Sequence, residues 1–182
     1  MRIVAGTWRG RAIVAPPGHA TRPTADRVRQ ALFDMLLHAP WAGRGMIEGA
    51  NVLDIFAGTG ALGLEALSRG AAHATFIERD RAALTALRAN IAACRAQDLI
   101  TVLAIDALAT PPGEPASVIF LDPPYYQDLV PRVLAHLRAV NRIASDALIV
   151  AETAREESPC TATPLLAERT HGAARLSIWR EV

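Results

Sequence analysis

The stretch Asn51-Val52-Leu53-Asp54-Ile55-Phe56-Ala57-Gly58-Thr59-Gly60-Ala61-Leu62-Gly63 carries the strongest fold signal in the chain. It opens with a short apolar run, residues 51–56, of the kind that forms a strand buried on both faces of a parallel sheet. Gly58 and Gly60 follow, and glycine allows both a tight strand-to-helix turn and a close approach of the backbone to a ligand. The stretch therefore predicts the first strand, turn and helix of an α/β domain.

The same alternation of apolar runs and helical segments continues towards the carboxyl end. We predict strands over 51–56, 74–78, 100–104, 117–121 and 147–152, and helices over 61–69, 81–94 and 127–140. Residues 168–182 add one or two strands that form an antiparallel edge. The expected fold is Rossmann-like, a doubly wound, mostly parallel sheet with helices on both faces.

The residues before this stretch follow a different pattern. Short β-prone runs over 2–5 and 11–15 predict a hairpin, and a Pro/Gly-rich loop over 16–23 comes next. Thr24 is a candidate cap for an amphipathic helix. Its apolar face, at helical spacing, comprises Val28, Ala31, Leu32, Met35 and Leu36.

The composition fits one soluble globular domain. The chain has 182 residues, of which 51% are hydrophobic and 20% charged. No apolar run approaches the roughly 18 residues of a membrane span, and the first residues do not resemble a secretory signal. The two cysteines, Cys94 and Cys160, form neither a disulfide framework nor a metal motif. We expect a monomeric cytoplasmic protein of one domain without a metal.

The charge is unevenly distributed along the chain. All 19 basic residues are arginines. Residues 1–44 contain seven of them and two acidic residues, so this part has a net charge of +5 and the rest of the chain a net charge of −4. An arginine-rich end that also carries a tryptophan predicts an RNA-binding extension over 1–44. A solubilising surface is the alternative. The candidate RNA contacts are Arg2, Trp8, Arg9, Arg11, Arg22 and Arg27.

The glycine turn by itself leaves the class of nucleotide cofactor open. Gly58-x-Gly60-x-x-Gly63, with Glu78 placed 20 residues after Gly58, also fits a dinucleotide site. A carboxylate at Asp54 would repel a pyrophosphate, but it would attract the ammonium and sulfonium groups of S-adenosylmethionine, or it would only brace the loop. Glu78 would accept the ribose hydroxyls, and Asp106 would accept from the adenine amine or serve as a turn residue. The candidate cofactor site is Asp54, Phe56, Gly58, Gly60, Glu78 and Asp106.

The second motif is Asp122-Pro123-Pro124-Tyr125, directly after a predicted strand. Two prolines stiffen the backbone at the sheet edge where open α/β sheets bind ligands. The Asp122 carboxylate and the Pro123 carbonyl would accept the two N–H groups of an exocyclic amine, and Tyr125 would stack on an extruded base. Taken alone, the motif also fits a proline-rich turn with a surface tyrosine. We take Asp122, Pro123 and Tyr125 as candidate catalytic residues.

Three further stretches extend the two motifs into a family pattern. They are Arg2–Arg11, Arg22–Arg29 and Ala61–Gly70. Together, and over nearly the whole chain up to Ser158, the sequence resembles the bacterial 16S ribosomal RNA guanine-N2 methyltransferases of the RsmD family. The resemblance implies a class I S-adenosylmethionine-dependent methyltransferase. It also implies that the glycine turn holds the cofactor, that the Asp-Pro-Pro-Tyr motif orients a guanine, and that the amino end grips RNA in the small ribosomal subunit or its assembly intermediate.

Three rival functions remain open at this level. An Asp-Pro-Pro-Tyr loop also suits DNA adenine-N6 methylation, although no separate DNA-recognition domain fits this length. An NAD-dependent oxidoreductase would bind NAD and ignore S-adenosylhomocysteine. A non-catalytic RNA-binding assembly factor would not need Asp122 and Tyr125 for its activity.

Overall fold

The computed structural model describes residues 1–16, 26–42, 44–158 and 163–181. Short 3-10 turns stand at Arg44–Met46, Gln97–Leu99 and Ala107–Ala109. The helices are α1 (Asp26–His38), α2 (Ala61–Ser68), α3 (Arg81–Cys94) and α4 (Leu129–Ala139). The strands are β1 (Asn51–Ile55), β2 (His73–Ile77), β3 (Ile100–Leu103), β4 (Ala116–Leu121), β5 (Ile143–Ala154), β6 (Ala167–His171) and β7 (Ala174–Arg180).

One mixed sheet organises the molecule, with strand order β3-β2-β1-β4-β5-β7-β6. Strands β1 to β5 pair in parallel, and β7 pairs antiparallel with both β5 and β6. The chain builds outward from β1 to β3 on one side and from β4 to β5 on the other, so the order reverses between β1 and β4. This arrangement confirms the predicted Rossmann-like fold and its antiparallel edge, and it puts the topological switch point at the two central strands.

Helices cover both faces of the sheet. Helices α1, α2 and α3 and the amino-terminal segment pack on one face, where Val118 and Phe120 of β4 join their cluster. Helix α4 packs on the other face, where Ile119 and Leu121 join a second cluster. Because successive side chains of a strand point to opposite faces, the continuous apolar run of β4 supplies both cores.

The predicted elements of the sheet region lie within a few residues of the observed ones. Helix α3 has the predicted bounds, and the two antiparallel strands of the tail are present. Helix α4 begins at Leu129 rather than at residue 127, because Tyr126 and Asp128 have φ of 60° and 54° and cannot continue a right-handed helix. Strand β5 is longer than predicted, since it pairs with β7 up to Ala154.

The predicted amino-terminal hairpin is present in a minimal form. Arg2 and Ala12 form one antiparallel bridge, and the Ile3 and Gly10 amides donate across the two arms. Ile3 and Ile13 are buried in the same cluster as α1, α2 and α3. Residues 1–16 therefore pack as part of the domain core. The proline-rich loop from residue 17 and the proposed Thr24 cap lie outside the described residues.

Helix α1 buries Leu32 and Leu36 of the predicted face, with Met35 packed against the same cluster, but its core stripe differs at other positions. Its buried residues are Arg29, Leu32, Phe33 and Leu36, which follow the helical spacing i, i+3, i+4, i+7. Ala31, expected on the core face, is exposed. The prediction was wrong here because the core stripe passes through an arginine, whose charge is met by acidic groups described below.

Within the described ranges, no helix is long and apolar enough to cross a membrane.

Candidate active site

The turns that follow β1 and β4 lie side by side. In the parallel register Ile55 is opposite Leu121, and the Asp122 amide donates to the Ile55 carbonyl over 3.4 Å. The glycine turn and the Asp-Pro-Pro-Tyr motif therefore start from neighbouring strand ends at the switch point. Open α/β sheets bind their ligands at this position.

Both turns line one cleft of about 900 Å³. Its size falls at the upper end of the range for small-molecule sites, which leaves room for a nucleoside cofactor together with a second ligand. Most of the candidate cofactor and catalytic residues line it: Asp54, Phe56, Gly58, Glu78, Asp106, Asp122, Pro123 and Tyr125.

The two glycines of the turn have different roles. Gly58 has φ +55°, and a Cβ on it would meet only the Phe56 carbonyl oxygen at 3.9 Å, so this backbone faces open space in the cleft. Gly60 does not line the described cleft, and a Cβ on it would stand 2.4 Å from Leu87 Cδ1. The structure thus puts Gly58 where a ligand can approach the backbone, whereas Gly60 allows α2 to begin against α3.

Asp54 is a buried carboxyl group at the floor of the cleft, with 3% of its surface exposed. Its Oδ2 accepts from the Gly63 amide over 2.9 Å, so it does brace the loop. Burial, followed by the charges of Asp122 and Glu78, raises the pKa of Asp54 to about 8. A cation bound in the cleft would favour the ionised form of this group.

The Glu78 carboxylate is held by three backbone amides. Oε2 accepts from Gly58 N at 2.9 Å, and Oε1 accepts from Arg79 N at 2.8 Å and Asp80 N at 2.7 Å. Two carboxylate oxygens offer about four acceptor positions, so one position remains, on Oε2. The sequence interpretation had Glu78 accepting both ribose hydroxyls. In this arrangement Oε2 can accept one, and a second would have to replace an amide hydrogen bond.

Asp106 caps the turn after β3 and also lines the cleft. It accepts from Leu108 N at 2.9 Å and from Arg79 Nη1 at 2.5 Å. The Leu108 amide and the Arg79 guanidinium hold the pKa of Asp106 below its usual value. Its position is compatible with both interpretations from the sequence, a turn residue and an acceptor for the adenine amine. The carboxylate caps the turn, and it is also an ionised acceptor in the wall of the cleft.

The Asp-Pro-Pro-Tyr motif forms the wall opposite the glycine turn. Asp122 is exposed to solvent and Pro123 is buried. The Tyr125 hydroxyl donates to Glu152 Oε1 over 2.7 Å, which fixes the ring against the end of β5. Glu152 also lines the cleft and was missed by the sequence analysis. Its only signal was a carboxylate at the end of a predicted strand.

The tip of the amino-terminal hairpin lies away from the cleft. The Trp8 amide donates to Ser68 Oγ at the end of α2, and the Arg11 guanidinium donates to the Ala93 carbonyl near the end of α3. Both helices start at the cleft edge and run away from it at 1.5 Å per residue, so these contacts are roughly 10–20 Å from the cleft. Trp8 is partly buried, and Arg9 and Arg11 are exposed.

Of the other candidate RNA contacts, Arg2 lies closer to the cleft. The Arg2 side chain is 70% exposed and stands 3.7 Å from the Asp26 carboxylate, next to Met1, which lines the cleft. Arg27 is exposed in the first turn of α1. Arg22 lies outside the described residues. The five described candidates therefore extend from the cleft to the ends of α2 and α3.

A buried ionic network behind the cleft was not expected from the sequence. The Glu65 carboxylate on α2 is fully buried and accepts from the amides of Val4 and Ala5 at 2.8 and 3.0 Å. It also pairs with Arg29 Nε at 3.4 Å and Arg69 Nε at 2.8 Å. Of the two Glu65 ion pairs, the one with Arg69, four residues away on the same helix, could have been predicted from the spacing.

No group of three or more histidine, cysteine, aspartate or glutamate side chains is close enough to hold a metal ion in the part of the chain that the structure describes. Cys94 is buried on α3, and Cys160 lies outside that part. The geometry of the site thus rests on carboxylates, backbone amides and one tyrosine.

The fold and the cleft together define the class of this protein. A seven-stranded sheet with an antiparallel edge, a glycine turn after β1, an acid after β2 and an Asp-Pro-Pro-Tyr turn after β4 form a class I methyltransferase fold. A solved Escherichia coli protein has the same fold with a TM-score of 0.84 and 38% identity, covering 99% of this chain and 97% of that one.

Sequence comparisons give the family. The model of the family described as Conserved hypothetical protein 95 matches residues 1–180. Ribosomal RNA small subunit methyltransferase D of Escherichia coli K12 is 43% identical over 84% of this chain and 74% of its own length. The Haemophilus influenzae protein of the same name is 34% identical over 99% and 93%. The chain belongs to the family of ribosomal RNA small subunit methyltransferase D, as the sequence resemblance implied.

Proposed function

We propose that this protein transfers a methyl group from S-adenosylmethionine to the exocyclic N2 amine of a guanine in 16S ribosomal RNA of the small subunit. The observation that carries the proposal is the adjacency of the two strand-tip turns, which the Asp122–Ile55 backbone hydrogen bond joins. A methyl donor in one turn and an amine in the other would then face each other. Family membership supports both the reaction and the RNA class.

The residues of the glycine turn fit the donor. Gly58 offers backbone without a Cβ, and Glu78 is fixed by three amides with an acceptor position left for a ribose hydroxyl. Asp106 is an ionised acceptor at the far wall, next to β3. The hydrogen-bond donor to the buried Asp54 is the neutral Gly63 amide, so this carboxyl group favours a cationic ligand over a pyrophosphate. This set argues against an NAD-dependent oxidoreductase.

The Asp-Pro-Pro-Tyr turn would activate the amine. When bound, S-adenosylmethionine supplies an electrophilic methyl group on a sulfonium. Asp122 and the Pro123 carbonyl accept the two N–H groups, which favours a pyramidal nitrogen with its lone pair available. As the N–C bond forms and the C–S bond breaks, Asp122 takes up the proton that leaves the nitrogen. Tyr125, anchored on Glu152, stacks on the extruded base.

The arginines of the amino end would hold the RNA backbone in two places. Arg2 stands next to the cleft and Arg27 follows Asp26, the partner of Arg2, whereas Arg9 lies in the hairpin turn and the Arg11 guanidinium reaches the end of α3, roughly 10–20 Å from the cleft. RNA helices and loops span such distances, so one folded substrate can contact both places. Trp8 and Arg22 complete the proposed RNA surface. A preference for the assembled subunit over free RNA follows from two separated contact points.

A methylation assay with labelled cofactor tests this function. Small subunits, naked 16S RNA and duplex DNA are offered in parallel. We expect incorporation into the subunit or the RNA and none into DNA. Incorporation into DNA alone would favour adenine-N6 methylation, and binding of NAD without binding of S-adenosylhomocysteine would favour an oxidoreductase.

Replacing Asp122 with alanine should lower turnover by at least about 100-fold, because a positioned acceptor contributes on the order of 100- to 10,000-fold. The affinity for S-adenosylhomocysteine, measured by calorimetry, should change by only a few fold. Asp34→Ala, on the exposed face of α1, is the matched control and should leave both quantities unchanged. Retained turnover in Asp122→Ala would contradict the assigned role.

A further inference from the structure

Arg29 is a completely buried arginine of α1 that lines the cleft. Its side chain is 0% exposed. Its Nε pairs with Glu65, and its Nη2 donates to Asp26 at 3.1 Å and to the Arg2 carbonyl. Among the residues that the structure describes, the buried Nη1 has no hydrogen-bond partner. A guanidinium nitrogen left this way is costly unless a ligand satisfies it.

Arg29 is part of a network of ion pairs. Three arginines, Arg2, Arg29 and Arg69, face two carboxylates, Asp26 and Glu65, in one connected network of ion pairs. The excess positive charge belongs to Arg2, whose side chain is 70% exposed, so the buried part of the network needs a hydrogen-bond acceptor and not a counter-charge. A buried donor is stable when it is hydrogen-bonded, and a single carboxylate at Nη1 would supply that acceptor.

The position of α1 indicates which end of the cleft this anion would occupy. Two other arginines line the cleft, Arg79 and Arg132, and both act on Asp106 at the β3 end. Val28, the neighbour of Arg29, lines a small side pocket together with Asp122 and Glu152. Arg29 thus belongs to the β4–β5 end of the cleft, on the far side of Asp54 from the adenosine-binding acids.

We propose that Arg29 binds the carboxylate of the amino-acid part of S-adenosylmethionine through Nη1. This inference rests on the proposed cofactor. With Glu78 and Asp106 at the adenosine end, the amino-acid end of the donor extends past Asp54 towards β4, where its carboxylate meets Arg29. A phosphate of the RNA is the other anion in the reaction, but the complete burial of Arg29 favours the smaller ligand deep in the cleft over a polymer at its mouth.

The test compares S-adenosylhomocysteine with its decarboxylated analogue, which keeps the adenosine, the sulfur and the amine but lacks the carboxylate. Binding is measured by calorimetry on the purified full chain. The wild type should bind S-adenosylhomocysteine roughly 10- to 100-fold more tightly than the analogue, the range of a charge-assisted hydrogen bond. Arg29→Gln should bind the two ligands with nearly equal affinity, and Arg29→Lys should give an intermediate ratio.

Arg69→Gln is the matched control. Arg69 pairs with the same Glu65 carboxylate but does not line the described cleft. Its variant should keep the wild-type ratio between the two ligands even if its stability falls. If Arg69→Gln lost the ratio as completely as Arg29→Gln, the effect would belong to the network and the direct contact would be overturned.

A wild-type measurement covers the case in which the Arg29 variants do not fold. In a crystal of the wild type with S-adenosylhomocysteine, we expect a carboxylate oxygen at about 3 Å from Arg29 Nη1. A carboxylate held elsewhere would overturn the proposal. If Arg29→Gln kept the ligand ratio but weakened RNA binding, Arg29 would be a phosphate contact instead. Failure of the wild type to bind either ligand would refute the proposed cofactor itself, a result distinct from the failure of this contact.

Discussion

Asp54 is a buried carboxylic acid whose pKa is affected by the charges of Asp122 and Glu78. Its protonation state makes the cofactor site sensitive to pH. Burial, Asp122 and Glu78 raise the pKa of Asp54 to about 8, so the ligand-free protein holds this group mostly protonated at neutral pH. Because the pKa is higher in the folded chain than in the unfolded one, the stability that this group contributes is fully present below about pH 4. It is lost as the pH rises through about 8.

Binding of the cationic donor should therefore release a proton from Asp54. We expect close to one proton per S-adenosylmethionine at about pH 6.5, and an affinity that increases between about pH 6 and 8. Calorimetry in buffers of different ionisation enthalpy measures the release. Asp54→Asn, which cannot titrate, should remove this component. An affinity that falls over the same pH range would refute the raised pKa as a feature of binding.

Gly58 and Gly10 form a matched pair for testing the glycine turn. Both have positive φ, 55° and 84°, and a Cβ on either would meet no atom closer than 3.9 Å. Alanine at each should cost about 1–2 kcal/mol of stability from backbone strain. Only Gly58→Ala should also weaken S-adenosylhomocysteine binding, because Gly10 lies in the hairpin. Equal binding by both variants would remove Gly58 from the cofactor site.

Gly60→Ala should behave differently from both. Its Cβ would stand 2.4 Å from the buried Leu87 side chain, so overpacking of about 1–3 kcal/mol adds to the strain. Chemical denaturation of the three glycine variants gives the comparison. A Gly60→Ala protein as stable as Gly10→Ala would contradict the assigned packing role.

Sequence patterns indicate the role of a residue best when its partners are close to it along the chain. Asp80, directly before α3, caps that helix by accepting from the Ala83 amide, a contact between residues only three apart. Arg29 could not be predicted in this way. Its burial depends on Glu65, which is 36 residues away along the chain, so helical spacing favoured the small apolar Ala31 for the core face.

At the scale of elements, one side chain ties the amino-terminal segment to the sheet domain. Glu65 on α2 accepts from two amides of that segment and pairs with Arg29 on α1. The Ser68 hydroxyl adds a hydrogen bond to the Ala5 carbonyl. Glu65 thus holds the amino-terminal segment with its hydrogen bonds and Arg29 with its ion pair. The position of Arg29 in the cleft wall therefore depends on how that segment packs against α2.

Glu65→Gln should destabilise the protein by about 3–5 kcal/mol, because it leaves two buried arginine side chains without their shared anion. Urea denaturation measures the loss. Glu168→Gln, which breaks a partly exposed pair with Arg175 at 3.8 Å, is the control and should cost less than about 1 kcal/mol. A loss of similar size in the two variants would show that Glu65 does not hold the segment in place.

The elements themselves were largely predictable, and their ends less so. Apolar runs and periodic helices give the parallel sheet because each strand is buried on both faces. The start of α4 was misplaced by two residues, since nothing in the letters Tyr126-Gln127-Asp128 signals left-handed backbone at a non-glycine residue. The order of the strands, and hence the meeting of the β1 and β4 turns, followed from the fold class rather than from any single motif.

At the scale of the whole molecule, the arginines of the amino end lie in two places, next to the cleft and near the ends of α2 and α3. Among the described arginines of residues 1–44, Arg29 is buried, the Arg2 side chain is exposed beside Asp26, and the Arg11 side chain extends to the Ala93 carbonyl near the end of α3. The sequence predicted that the amino end is basic, but not where each arginine lies. The hairpin packs along α2 and α3, so its tip lies away from the strand ends that line the cleft.

Two double variants test these sites on the small subunit. Arg2→Ala/Arg27→Ala and Arg9→Ala/Arg11→Ala should each weaken subunit binding and lower the slope of log affinity against log salt by about two. Arg155→Ala/Arg169→Ala, at exposed positions beyond the switch point, is the control and should leave the slope unchanged. Equal effects from all three pairs would indicate attraction without a defined RNA surface.

The central claim is that one cleft presents a guanine amine to a methyl donor. Mass spectrometry of 16S ribosomal RNA from cells lacking this gene, compared with cells that regain it, measures the product directly. We predict one guanine that carries a methyl group on N2 only when the gene is present, and that stays unmodified when the restored gene encodes Asp122→Ala. Identical RNA in the presence and absence of the gene, or a methyl group on any other base or atom, would contradict the account.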